Sequence, residues 1–441
     1  MTRAMPDAPA RCRFLVSGHA PREGACTVAL DPPCLRVTPA GGQGWACDFG
    51  EIERFQVGEN GLTLTLLDGT IVELFELGRA LPALLVGLRD GWRDRTTRSL
   101  LLDAHDERAR FEGWARRIAP DPLANGPAQV RVYPGHLAVL PAERPAFPLP
   151  LAAIEHFAFD AATYTYTVEA PPVSASIGYL ARDTERFGTV VETLRAERLE
   201  LARRTFRETF PQLPEARLDR LVERFREGRA VPVSALAAID PPLQQALVDN
   251  VVGHERYPYY ENLAARAVPS PAYVAFGLVP RVEAHEAAEP LEDEDTNPHF
   301  DDGAEDAASD GDVTDAGGHA LVPLFSFLFP VPVADGRRLA VAWEPMSPTG
   351  RATYFFRPDD IDDASPERAV GSVNAALARV GYRREPVYLS AATIVREPRV
   401  RHYAIAEARV PELRWLRAHL VGRAIHNGVD AWGRACTRLL V

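Results

Sequence analysis

Four carboxylates lie within a span of five residues, at Asp359, Asp360, Asp362 and Asp363. Carboxylate oxygens are the ligands that Ca²⁺ and Mg²⁺ prefer, so these residues are candidate metal ligands. They also stand immediately before Ser365, where a helix is predicted to begin, and the helix dipole favours acidic residues at that end. No histidine lies near them in the sequence, and the helix-start interpretation is the simpler of the two.

A second group combines an arginine with three tyrosines: Arg256, Tyr257, Tyr259 and Tyr260, in the segment Glu-Arg-Tyr-Pro-Tyr-Tyr. Tyrosine and arginine are enriched in the contact surfaces between proteins. The group therefore predicts a surface that binds a partner protein.

Motifs for hydrolytic and phosphate chemistry are missing from the sequence, which has no Gly-x-Ser-x-Gly elbow, no His-Glu-x-x-His pair and no phosphate loop. The alternating carboxylates of Asp310–Asp315 resemble a calcium loop, but no closing glutamate follows them. The five cysteines include no Cys-x-x-Cys pair, and small buried side chains explain them better than a zinc site does. No catalytic residue and no cofactor is predicted.

The composition, 46% apolar and 25% charged over 441 residues, is typical of a globular protein. All basic residues are arginine, and the net charge of −12 has one main source. Residues 283–315 contain fourteen Asp or Glu and no Arg, so the remainder carries about +2. We expect a disordered acidic insertion over residues 283–319.

This charge distribution also bears on partners and location. The nearly neutral remainder has no arginine-rich run with interleaved aromatic residues, so no nucleic-acid partner is expected. The first residues lack the apolar core of a signal peptide, and no apolar segment is long enough to span a bilayer. The sequence therefore favours a cytoplasmic protein.

The chain contains an internal repeat. Ile52-Glu53-Arg54-Phe55 recurs as Ile154-Glu155-His156-Phe157, at an offset of 102 residues, and alternating runs follow at Leu62–Leu66 and Tyr164–Val168. Each copy then leads into a segment of helical period. Alternation of this kind predicts short antiparallel strands, and the helix would cover their apolar face.

This order of elements resembles the pleckstrin-homology-like fold, including its GRAM-type relatives, as two copies over residues 25–205. The resemblance implies a small antiparallel barrel or sandwich closed by a C-terminal helix, and binding to phosphoinositides or peptides. Lipid-binding members carry basic residues between their first two strands. The loops that we match to that position, Thr38–Gln43 and Pro134–Glu143, have none, so the resemblance implies protein partners and argues against membrane binding.

The predicted architecture is α+β and multidomain. It comprises a first module with an N-terminal extension (1–118), a second module (119–205), a helical connector (206–268) and a C-terminal α+β domain (269–441). In the last domain we expect strands at Tyr273–Val279, Ala320–Val333, Leu339–Glu344, Thr353–Arg357, Val387–Val395 and His402–Ala406. Helices are expected from Ser365 to Val380 and from Pro411 to the end.

Two hypotheses about function follow. The first is a non-enzymatic scaffold that uses tandem pleckstrin-homology-like modules to assemble partner proteins. The alternative is an enzyme whose site lies in the C-terminal domain and uses a metal held by the carboxylates of residues 359–363. The sequence predicts neither the identity of a partner nor an oligomeric state.

Overall fold

A computed structural model of the chain describes residues 5–15, 22–40, 44–102, 106–123, 125–141, 144–267, 271–280, 321–334, 338–347, 351–358 and 365–441. The chain divides into two compact units, one of residues 1–197 and 402–411 and the other of residues 198–401 and 412–441. The acidic insertion expected at 283–319 lies outside the described residues. Within them, no helix combines the length and apolar character needed to cross a membrane.

The first unit opens with an antiparallel sheet of seven strands in the order β4-β3-β2-β1-β7-β6-β5. These strands are β1 (Met5–Leu15), β2 (Arg22–Asp31), β3 (Cys34–Pro39), β4 (Trp45–Asp48), β5 (Ile52–Val57), β6 (Gly61–Leu66) and β7 (Ile71–Phe75). Helix α1 (Leu81–Ser99) follows and buries Leu84, Leu88 and Trp92. The indole N–H of Trp92 donates to the carbonyl of Ile52 at 2.7 Å, which ties the helix to β5.

A second seven-stranded antiparallel sheet repeats this plan in the order β11-β10-β9-β8-β14-β13-β12. Its strands are β8 (Ala109–Ala119), β9 (Gly126–Val132), β10 (His136–Pro141), β11 (Phe147–Pro150), β12 (His156–Asp160), β13 (Thr165–Ala170) and β14 (Val173–Gly178). Helix α2 (Thr184–Thr209) follows, and its Phe187, Val191 and Leu194 enter the core of this sheet. The sequence repeat thus corresponds to two sheets of the same strand order, each covered by the helix that follows it.

Backbone conformation repeats as well. Between the last strand and the helix, Glu76 and Gly78 have φ of 60° and 50°, and Tyr179 and Ala181 have φ of 55° and 51°. The left-handed region is costly for residues other than glycine, so its use at matching places in both copies shows that one backbone plan serves both.

The two copies differ in the hairpin between the fifth and sixth strands. Phe55 pairs with Leu64, whereas Phe157 pairs with Val168, so the second hairpin is longer. The constant offset of 102 therefore does not extend to the sixth strand, and the register makes Leu62 the counterpart of Tyr166.

Strand β1 was not anticipated as part of the first module, because its proline, aspartate and alanine residues are poor strand formers. The residues between the first two strands are therefore 16–21, which lie outside the described residues, and 120–125 in the second copy. Thr38–Gln43 instead leads from β3 toward β4, and Pro134–Glu143 contains β10.

Strand β8, most of which lies before the expected boundary at 118, pairs within the second sheet.

The second unit contains a six-stranded antiparallel sheet in the order β15-β16-β17-β18-β19-β20. The strands are β15 (Ala230–Pro232), β16 (Tyr273–Pro280), β17 (Leu321–Pro332), β18 (Leu339–Pro345), β19 (Ala352–Phe356) and β20 (Leu420–Ile425). Phe325, Phe327 and Phe329 share one face of β17 and are buried in the core. The strands expected near 273–279, 320–333, 339–344 and 353–357 are confirmed.

Helices of this unit pack on the sheet. In chain order they are α3 (Glu215–Arg224), α4 (Ser234–Ala237), α5 (Leu243–Leu247) with a π-helical turn (Val248–Val252), α6 (Gly253–Arg266), α7 (Pro366–Arg379), α8 (Glu385–Tyr388) and α9 (Ala391–Arg396). The next helix in the chain, α10 (His402–Arg409), belongs to the first unit. The second unit ends with α11 (Pro411–His419) and α12 (Val429–Leu439). Residues 206–268, predicted as a connector, supply β15 and α3 to α6, whose apolar residues join the core of this sheet.

Three secondary-structure predictions for this region are wrong. Val387–Val395 is helical in α8 and α9, where Ser390 caps α9 by accepting the N–H of Thr393 at 3.1 Å. His402–Ala406 is helical in α10. The helix expected from Pro411 to the end stops at His419, because the next residues extend the sheet as β20. The helix expected from Ser365 is confirmed as α7.

Helix α10 belongs to the first unit, far from its neighbours in sequence. The guanidinium of Arg409 donates to the carbonyl of Gly50 at 2.8 and 3.1 Å and also to that of Ile52. A Cβ on Gly50 would lie 3.2 Å from the Ile405 side chain. The first repeat therefore holds a helix from the far end of the chain against the turn that precedes β5.

Candidate partner-binding groove

The tyrosine and arginine group predicted to bind a partner lies on helix α6. Tyr260 packs edge-on against Phe327, with ring centroids 5.1 Å apart, and Tyr259 stacks on His426 at 4.2 Å. Both tyrosines thus contact the interior of the second unit. The helix period explains this, because residues 256, 259, 260 and 263 share one face and Leu263 is fully buried.

The other two members of the group separate. Arg256 donates to the carbonyls of Pro345 and Ser347, and burial lowers its pKa below the usual value for arginine. Tyr257 has 42% of its surface exposed. Of the four residues, Tyr257 alone is mainly at the surface, so the structure does not bring them together as one contact surface.

The predicted metal ligands Asp359, Asp360, Asp362 and Asp363 lie outside the described residues. Among the residues that the structure does describe, no group of three or more His, Cys, Asp or Glu is arranged to hold a metal ion. The hypothesis of a metal-assisted enzyme therefore stays a prediction.

A groove of about 380 Å³ lies in the second repeat, between strand β12 and helix α2. Strand β12 is an edge of its sheet and pairs with β13 on one side. The groove is lined by Phe157, Phe159, Tyr166, Glu185, Gly188, Thr189 and Glu192. Three aromatic rings from the strands thus face two carboxylates from the helix.

The rings of the aromatic wall pack closely against one another. The ring centroid of Tyr166 lies 5.0 Å from that of Phe157 and 5.0 Å from that of Phe159. Phe187 of α2 packs edge-on against the Tyr166 ring, with the ring centroids 5.1 Å apart. Because alternate residues of a strand share a face, Phe157 and Phe159 project together, and Phe159 remains 41% exposed.

The wall formed by helix α2 contains Gly188, which leaves room for the Tyr166 hydroxyl. The hydroxyl of Tyr166 donates to the carbonyl of Thr184 at 3.1 Å and passes close to Gly188, where an added Cβ would overlap it and lie 3.0 Å from Cζ. Burial, with the negative charges of Glu192 and Glu185, raises the pKa of the Tyr166 phenol. Both glutamates are exposed on the same helix face, seven residues apart.

The residues that form this groove differ in the first repeat. Helices α1 and α2 begin at the same point of the repeat, so Leu85 and Arg89 occupy the positions of Gly188 and Glu192. On the strands, Val57 and Leu62 replace Phe159 and Tyr166. The glycine, the glutamate and the aromatic rings that form the groove are therefore present in the second copy and replaced in the first.

The second repeat has further exposed aromatic residues, of which Tyr164 packs edge-on against Phe159 at 5.9 Å. Trp114, Tyr164 and Tyr179 are 42%, 67% and 65% exposed, and the Trp114 and Tyr179 rings lie 5.6 Å apart. Tyr164 and Tyr179 have φ of 54° and 55°, which is a strained conformation for a bulky residue. Trp114 is on β8, Tyr179 directly follows β14 and Tyr164 directly precedes β13, and these three strands are successive neighbours. Clusters of exposed apolar side chains typically mark interaction surfaces.

A second cavity of about 310 Å³ lies in the second unit, between edge strand β15 and helix α7. Tyr273, Glu367, Gly371 and Asn374 contribute to its lining. Burial, with the charge of Glu367 nearby, raises the pKa of Tyr273 to about 12. Its lining contains one carboxylate, one arginine (Arg229) and one aromatic residue, the buried Tyr273.

A buried polar network lies on the same sheet. The hydroxyl of Thr353 contacts Glu344 at 2.6 Å, the His426 ring at 3.1 Å and the indole nitrogen of Trp432 at 3.0 Å. Glu344 and Thr353 are fully buried, and neither cavity described above is lined by these residues. The network therefore joins β18, β19 and α12 as a structural element.

Sequence reasoning missed the groove residues. Tyr166 was noticed as part of an alternating run, but its partners lie on another strand and on the helix, and only the strand order places them together. Comparison with known proteins adds no assignment, because no protein-family model matches the chain and no curated protein matches its sequence.

Proposed function

We propose that this chain works by binding partner proteins, and that the second repeat is the module that holds them. The observation that carries the proposal is the groove between β12 and α2, with aromatic rings on one wall and exposed carboxylates on the other. Each sheet with its helix would then act as a pleckstrin-homology-like module, closed as a barrel or sandwich. In that fold, protein or peptide ligands fit a module without a basic loop.

The mode of binding follows from the edge strand. An edge strand offers backbone N–H and C=O groups to an additional strand, and side-chain pockets beside it provide selectivity. Here β12 offers the edge, while Phe157 and Phe159 offer apolar contact area beside it. An extended segment of a partner would pair with β12 and place alternate side chains in the groove.

The test uses the full chain, immobilised and exposed to a phage-displayed library of random dodecapeptides. Gly188→Ala places a methyl group against the Tyr166 hydroxyl and drives that ring into the groove, so bound phage should fall to background. Phe159→Ala removes an exposed wall residue without disturbing the core and should weaken binding of the selected peptides about tenfold or more, as for an interface anchor.

The matched control is Gly371→Ala, on helix α7. A Cβ there meets open space, and alanine is a better helix former than glycine by about 1 kcal/mol, so folding and binding should be retained. Loss of binding in this control alone would place the peptides in the second cavity. That outcome, or peptides that bind all three variants equally, contradicts the proposal.

A further inference from the structure

We infer that the groove of the second repeat takes an arginine or lysine side chain from an extended segment of the partner. This inference rests on the proposed function and deepens it by naming the chemistry of the ligand. The cation would lie between the aromatic wall of Phe159 and Tyr166 and the carboxylates of Glu185 and Glu192.

The carboxylates are available for a ligand. Glu185 and Glu192 are exposed, and within the described structure neither forms a salt bridge or a side-chain hydrogen bond. The arginine adjacent to Glu185, Arg186, contacts Asp183 at 3.4 Å and lies over the Phe111 ring instead. No basic residue lines the groove, so its charge is uncompensated from within.

Aromatic faces beside carboxylates favour a cation over other ligands. A guanidinium or ammonium is attracted to the face of an aromatic ring and to a carboxylate at the same time, and the stem of arginine or lysine covers apolar surface. This protein pairs arginine with aromatic rings elsewhere, since Arg423 lies 4.2 Å from the Tyr388 ring centroid. An anionic ligand would meet repulsion from both glutamates.

The geometry also determines the spacing between two cations in a bound segment. Residues seven apart on a helix lie about 10 Å apart along its axis, a distance spanned by three residues of extended chain. Alternate side chains of an added strand point to the same side and lie about 7 Å apart. The flexible stems of arginine and lysine cover the remaining difference of about 3 Å, so two cations separated by one residue could each face one glutamate. Segments of the form cation-x-cation would therefore bind best.

The experiment starts from the dodecapeptides selected by the full chain. Selected sequences should be enriched in arginine or lysine, and replacing those residues with glutamine in the best peptide should weaken binding about tenfold. The double variant Glu185→Gln with Glu192→Gln should weaken the unmodified peptide to a similar extent. It should also reduce the salt dependence of binding, because screening acts on exposed charges.

The matched control changes two exposed glutamates of the same helix outside the groove, Glu197→Gln with Glu200→Gln, and should bind as the unchanged protein does. Equal binding by both double variants overturns the cation inference. If selected peptides lack basic residues but are lost on Phe159→Ala, the cation inference fails and the proposed function stands. If no peptide depends on Phe159 or Gly188, both fail.

Discussion

The hydroxyl of Thr353 is the central atom of the buried network in the second unit. It donates to Glu344 at 2.6 Å and accepts from the indole N–H of Trp432 at 3.0 Å, while the His426 ring nitrogen lies 3.1 Å away. Thr353→Val keeps the shape of the side chain and removes these contacts. The change isolates the polar contribution, because it leaves no cavity.

The expected loss of stability follows from the groups left behind. Glu344 loses the Thr353 donor to its Oε2 atom, beside which the His426 ring nitrogen remains at 3.3 Å, and its Oε1 atom is already buried without a partner among the described residues. The Trp432 N–H loses its acceptor. A buried polar group without a partner costs about 1–3 kcal/mol, so the two together predict a loss of about 3–4 kcal/mol in the free energy of unfolding.

Urea unfolding of the full chain, followed by tryptophan fluorescence and by hydrogen exchange of β18 and β19, measures this loss. The control Thr437→Val makes the same change at an exposed position of α12 and should alter stability by no more than about 0.5 kcal/mol. A loss below about 1 kcal/mol for Thr353→Val would refute the reasoning, since water or a rotated side chain would then satisfy Glu344 and Trp432.

Two further predictions concern the first unit. Arg409→Ala removes the hydrogen bonds to the carbonyls of Gly50 and Ile52, so the backbone amides of α10 should exchange faster with deuterium. The control Arg401→Ala should leave the exchange of these amides unaltered. Equal exchange rates in the two variants would contradict a stabilising role for the Arg409 contact. Burial raises the pKa of Cys26 to about 12, so at pH 8 only about one thiol in 10⁴ is ionised there, and a thiol reagent should modify it only after unfolding. Fast modification of Cys26 in the native protein would show that the strand opens.

Some of the fold follows directly from local sequence. The alternation of Leu62, Leu64 and Leu66 predicted an inward face, and all three are buried. Ser365 was expected to cap a helix, and its hydroxyl accepts the N–H of Arg368. These predictions succeed because short-range pattern and capping chemistry determine the outcome.

Other features depend on partners distant in the sequence. Val387–Val395 combines β-branched and aromatic residues, which are typical of strands, yet capping and packing make it helical. The sequence could not show that Tyr259 faces His426 and Tyr260 faces Phe327, because only the fold brings these residues near, and the partner-binding role of the group stays a prediction. The groove could not be predicted from the sequence for the same reason, because its two walls come from β12 and α2.

The two repeats share a backbone plan but differ in what covers them. In the first copy, Leu85 and Arg89 replace Gly188 and Glu192, and α10 binds the turn that contains Gly50, which is buried. At the matching turn of the second copy, Ala152 is exposed. The side chains that fill and cover the first copy suit that copy to a contact within its own chain, the one with α10. The glycine, the carboxylates and the exposed rings of the second copy leave its groove open, which is consistent with the partner-binding function proposed for that copy.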